Sequence, residues 1–93
     1  MATILVIEDE PILARNICDA LTLAGHEVSH VSSGEEGLKT AKINEPDIVL
    51  LDYRLPGIDG LETLRKLRQS VPASAVIMMT AHGGVSTAVE AMK

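Results

Sequence analysis

The chain has 93 residues, 46% of them hydrophobic with Tyr53 the single aromatic, and a formal net charge of −5. That length bounds it to one domain, expected to run 1–93, and the acidity excludes a nucleic-acid-binding surface, which needs clustered Lys and Arg. No apolar run approaches the roughly 18 residues of a membrane span, the amino terminus lacks a secretory start, and Cys18 has no partner for an internal disulfide, so the expected location is the cytoplasm.

Thr3–Ile7 is a short β-branched and aliphatic run that predicts a strand buried on both faces. Pro11 suits the first turn of a helix, whose apolar face is expected at Leu13, Ile17, Ala20, Leu21 and Ala24 and whose end falls at Gly25. Cys18, inside that pattern, reads as a small buried hydrophobe. Glu27–Val31 is a weaker strand, with His26 and His30 around it in structural positions away from any pocket. Ser33 and Glu36 stand at capping-box spacing ahead of Leu38 and Ala41. Pro46 breaks that helix, and 47–51 predicts an apolar strand running into Asp52. Pro56-Gly57 and Asp59-Gly60 are turn chemistry, with Asp59 suited to cap a helix facing Leu61, Leu64, Leu67 and Val71. Pro72 closes it. Ala75–Met79 is a further apolar strand ending at Thr80, and Gly83-Gly84 leads into a last helix.

Strands alternating with helices predict an α/β fold, a doubly wound parallel sheet whose ligands bind beyond the carboxyl ends of the strands. Glu8, Asp9 and Glu10 follow the first strand, Asp52 the third, and Thr80 and His82 the fourth. If the first and third strands are neighbours, Glu8, Asp9 and Asp52 converge. Carboxylates so grouped repel, and a hard divalent cation such as Mg2+ is the usual resolution. A carboxylate can also be a nucleophile, forming an acyl phosphate. The plainer alternative is that strand ends face water and collect acidic residues for that reason.

The runs ILVIEDE, DIVLLDYRLPGIDGLE and AVIMMTAHGG, in order across all 93 residues, resemble the receiver domain of two-component response regulators. The last run, with VSTAVEAMK after it, is similar to receivers fused to σ54-dependent activators. The resemblance implies a flavodoxin-like sheet and a phosphoacceptor at Asp52, supplied by a histidine kinase or phosphotransfer protein. It also implies Mg2+ bound by Glu8, Asp9, Asp52 and the backbone carbonyl of Arg54. Thr80 would be the switch hydroxyl, and the Ala81 amide would contact the phosphoryl group. Such a domain is a signalling switch in a phosphorelay, regulating an output such as transcription, with at most limited self-dephosphorylation.

The family usually ends with a fifth strand and helix, preceded by a Lys that pairs with the phosphoryl oxygens; neither is present, and Lys93 is expected within the preceding helix. The chain therefore reads as incomplete at its C-terminus relative to the family, with the fourth strand an apolar edge suited to self-association. Two other readings stay open: a receiver-like interaction module no longer switched by phosphorylation, and a Mg2+-dependent aspartyl-phosphate phosphohydrolase. The latter needs an acid two residues past the nucleophile, where Arg54 stands. Dinucleotide binding is excluded, because no Gly-x-Gly-x-x-Gly follows the first strand.

Overall fold

The aliphatic runs form strands, and the segments of helical period between them form helices. In the computed structural model, residues 1–55 and 57–79 are described, and the order is β1 (Thr3–Ile7), α1 (Pro11–Leu23), β2 (Glu27–Val31), α2 (Gly34–Asn44), β3 (Ile48–Asp52), α3 (Gly60–Ser70) and β4 (Ala75–Met79). Three of the strand ranges match the sequence expectation. The third begins one residue late, because Asp47 turns its carboxylate onto Thr3, accepting from its N–H at 2.9 Å and its hydroxyl at 3.1 Å. The expected last helix lies outside the described residues.

The four strands are all parallel, in the order β2-β1-β3-β4. The chain thus steps outward from β1 to β2, returns across β1 to β3, and continues to β4. That reversal makes the gap beyond β1 and β3 a topological switch point. Leu5, Ile7, Val49, Leu51, Val76 and Met78 alternate onto one face, where they form the main core with Ala41 of α2, Leu64 and Leu67 of α3 and Val71 just past its end. Each fully buried aliphatic side chain there contributes about 1.5–3 kcal/mol relative to exposure.

Local chemistry sets the helix ends. Asp59 caps α3 through its carboxylate, which accepts from the Glu62 N–H at 2.9 Å. Ser33 caps α2 by accepting from the Glu36 N–H at 3.2 Å, and its hydroxyl also donates to the Glu36 carboxylate at 3.3 Å. Gly25 follows the end of α1 with φ +96°, a left-handed value that glycine adopts without Cβ strain, and its N–H donates to the Thr22 carbonyl.

Two expectations about faces are corrected. On α1 the buried residue is Ala14, with Ile17, Cys18 and Leu21 half-buried, while Leu13, Ala20 and Ala24 are exposed. Ala14, Ile17, Cys18 and Leu21 stand at i, i+3, i+4 and i+7 and so share one face, while Leu13, Ala20 and Ala24 fall to its side. On α3, Leu61 is exposed, and Thr63 is fully buried in the core instead. Its hydroxyl donates to the Asp59 carbonyl at 2.8 Å, so burial leaves no polar atom unpaired.

Candidate functional site

Ile7 of β1 pairs with Leu51 of β3, so Glu8 and Asp52 are the next residues of two adjacent parallel strands. Carboxylate oxygens of Glu8, Asp9 and Asp52 all lie within 4.8 Å of one another. Glu8 is buried, Asp52 half-buried and Asp9 exposed, which makes a pocket closed at its floor and open to water on one side.

The backbone around Glu8 is held on several sides. Its N–H donates to the Val31 carbonyl at 3.1 Å, and its carbonyl accepts from Nε2 of His30 at 2.8 Å. Its carboxylate accepts from the Glu10 N–H at 3.0 Å. Asp52 accepts from the Arg54 N–H at 3.2 Å, and Tyr53 extends the β3–β4 ladder by donating to Met79. Gly60, at the start of α3, sits against the same turn. A Cβ there would meet the Tyr53 carbonyl oxygen at 2.6 Å and the Asp52 carbonyl oxygen at 2.8 Å, so only glycine lets α3 approach the end of β3.

Crowding of acids raises the affinity for protons. Burial pushes the Glu8 carboxyl up to about 7; the Glu10 N–H opposes this, and neighbouring Asp52 and Asp9 add to it. Asp52 is also raised, first by burial, with the Arg54 N–H and the Glu8 hydrogen bond opposing and the charge of Asp9 reinforcing. Burial is the largest cause for both carboxylates. Among the described residues the clustered donors are carboxylate oxygens, open to water at Asp9, which fits a hard divalent cation that retains several waters.

The sequence expectations divide as follows. Glu8, Asp9 and Asp52 are brought together. Arg54 lies in the turn after β3 with its side chain exposed. Thr80, Ala81, His82 and Pro56 lie outside the described residues. Glu10 does not join the cluster, since its carboxylate caps α1 by accepting from the N–H groups of Ile12 and Leu13. The dipeptide Glu10-Pro11 carried that signal, an acceptor immediately ahead of a proline at the first helical position. His30, expected away from the pocket, instead reaches the Glu8 carbonyl. His26 is structural as expected, its Nδ1 accepting from the Ala2 N–H at 3.0 Å.

The family model for the response regulator receiver domain matches residues 4–93. Among curated proteins, the chain is 37% identical over 83 residues to the probable transcriptional regulatory protein TcrX of Mycobacterium tuberculosis, covering 89% of this chain and 36% of that protein. It is 37% identical over 90 residues to the regulatory protein AtoC of Escherichia coli, covering 97% of this chain and 20% of that one. The chain thus spans well under half the length of these relatives. Among solved structures, a response regulator receiver domain protein from Clostridium thermocellum superposes with a TM-score of 0.86 at 38% identity, covering 99% of this chain and 75% of that one.

Proposed function

The chain belongs to the response regulator receiver domain family, and on that premise we propose that Asp52 is its phosphoacceptor, working beside Mg2+ held by Glu8, Asp9 and Asp52. The observation that carries this reading is the β1–β3 register, which sets the three carboxylates within 4.8 Å of one another at the switch point of the sheet. Ionised Asp52 needs no general base. One of its oxygens forms a bond to phosphorus as the bond from phosphorus to the donor nitrogen breaks, and the departing imidazole takes up a proton. Bound Mg2+ would supply neutralisation of charge on the carboxylates and on the phosphoryl oxygens. Glu8 and Asp9 would hold that cation with Asp52, and the backbone carbonyl of Arg54 would be a further ligand.

Thr80 and Ala81, which the family resemblance marks as switch hydroxyl and phosphoryl-binding amide, complete the proposed site. The donor is a phosphohistidine on a histidine kinase or phosphotransfer protein. The domain occupies 1–93 and acts in the cytoplasm as a switch with limited self-dephosphorylation, without binding nucleic acid itself. Among the described residues no helix is long and apolar enough to cross a membrane. β4 pairs only with β3 among the described residues, and its sequence AVIMM carries no charge, so self-association through this edge belongs to the same reading.

The test is intact-mass analysis after incubation with acetyl phosphate and Mg2+. One added phosphoryl group is expected, absent without Mg2+ and absent in Asp52→Asn. Persistent labelling of Asp52→Asn, or none in the parent chain, refutes the assignment.

A further inference from the structure

We propose that His30 is a positioning residue for the acidic pocket, fixing through its Nε2–H the peptide that carries Glu8 into Asp9. The proposal rests on the pocket being the Mg2+ and phosphoacceptor site described above. β1 and β2 pair from Thr3 with Glu27 to Ile7 with Val31. One further ladder bond follows, from the Glu8 N–H to Val31, and then the strands part as Ser33 begins to cap α2. The Glu8 carbonyl lies just past that parting. His30 pairs with Val6, so its side chain stands on the Val6 face of the sheet, two residues behind Glu8. Two strand residues span roughly 6.6 Å, a gap that a forward-leaning imidazole can close. It does so, with Nε2 2.8 Å from the Glu8 carbonyl oxygen. A carbonyl can only accept, so Nε2 carries the hydrogen.

The consequence falls on the carboxylates. Glu8 then has its N–H fixed by Val31, its carbonyl by His30 and its carboxylate by the Glu10 N–H. Asp9 is exposed, and its direction of departure follows from the plane of the Glu8–Asp9 peptide that His30 holds. Three acidic groups within 4.8 Å repel and would relax by splaying this backbone. A peptide anchored across to β2 resists that relaxation, keeping the cluster arranged before any cation arrives.

A mere staple between β1 and β2 would alter stability and leave cation affinity alone, so affinity is the readout. Titration of 15N-labelled protein with Mg2+ gives the dissociation constant for the parent, His30→Ala and His30→Gln, with thermal midpoints measured alongside. Partners one bond removed from metal ligands typically change affinity by about 10–100-fold. His30→Ala is expected to weaken Mg2+ binding about tenfold, and His30→Gln, which keeps an N–H donor on a chain of similar reach, to restore most of it. Equal affinities for parent and His30→Ala overturn the proposal, as do equal losses in the Ala and Gln variants. If His30→Ala does not fold, the His30 ring resonances of the parent decide. They should shift with the same dissociation constant as the pocket amides, and stationary resonances overturn the proposal. A parent that binds no Mg2+ at all overturns instead the reading of the pocket on which the proposal rests.

Discussion

Replacing Glu8 by Gln should stabilise the metal-free protein at alkaline pH and leave it almost unchanged in acid. Glu8 is 3% exposed, and its carboxyl is raised from 4.5 to about 7. A folded-state value above the unfolded one means that the native protein binds the proton more tightly. The associated stability is therefore complete below about 4.5 and is lost as pH rises through about 7. At roughly 1.4 kcal/mol per unit, the shift would correspond to about 3 kcal/mol, but the pocket opens to water at Asp9, and screening there brings the expected effect to about 1–2 kcal/mol. Urea unfolding in EDTA at pH 5 and pH 8 measures it. The Glu8→Gln protein should gain about 1–2 kcal/mol over the parent at pH 8, roughly 4–16 °C in thermal midpoint for a domain of this size, and little at pH 5. With Mg2+ at ten times its dissociation constant the parent should recover about 1.4 kcal/mol, and the variant, lacking one ligand, less. A stability difference independent of pH, or a less stable variant at pH 8, refutes the account of Glu8 as a buried carboxylate under strain from its neighbours.

Gly60→Ala forces a Cβ to within 2.6–2.8 Å of backbone oxygens at the end of β3, neither of which can rotate away. Destabilisation by about 1–3 kcal/mol in urea is expected, with slower labelling of Asp52 by acetyl phosphate. Asp47→Asn removes a carboxylate whose proton affinity is lowered chiefly by the Thr3 N–H. Because that stabilisation is present above the unfolded value and lost as pH falls through the folded one, the variant should show a flatter acid-unfolding limb, which circular dichroism against pH would measure. Ile77 is 42% exposed on β4, and Ile77→Lys should abolish concentration-dependent association in sedimentation velocity; a parent that stays monomeric at high concentration counts against association through this edge.

The fold was legible because each strand is a short apolar run bounded by turn or cap residues, and the helices between them leave a parallel sheet as the workable arrangement. Glu8, Asp9 and Asp52 were legible as a group through the rule that ligands gather beyond the carboxyl ends of strands. What the pattern did not disclose depends on register and distance. The stripe of α1 centres on Ala14, a residue that an apolar pattern ranks below its neighbour Leu13. Thr63 looks like a surface residue until its hydroxyl is seen to close on the Asp59 carbonyl. His30 sits in the weaker strand, and nothing in composition connects it with a carbonyl two positions further along the neighbouring strand. Glu10 differs: its role as a cap was readable from the following proline, an acceptor standing just ahead of the first helical position.

The same geometry that makes the pocket costly also makes it responsive. Glu8 is held by its N–H, carbonyl and carboxylate, and Asp52 by the Arg54 N–H, so repulsion among the acids cannot be relieved by moving them apart without breaking those bonds. Two routes of relief remain, protonation and a cation. They compete, since a proton on Glu8 removes a ligand charge and a bound cation favours the ionised form. Mg2+ affinity should therefore climb as pH rises through about 7, the region in which the metal-free protein is losing stability. The stabilisation conferred by a fixed Mg2+ concentration should consequently be larger at pH 8 than at pH 6. A thermal-shift series over that interval, with and without Mg2+, would sink the coupling if the increment were flat.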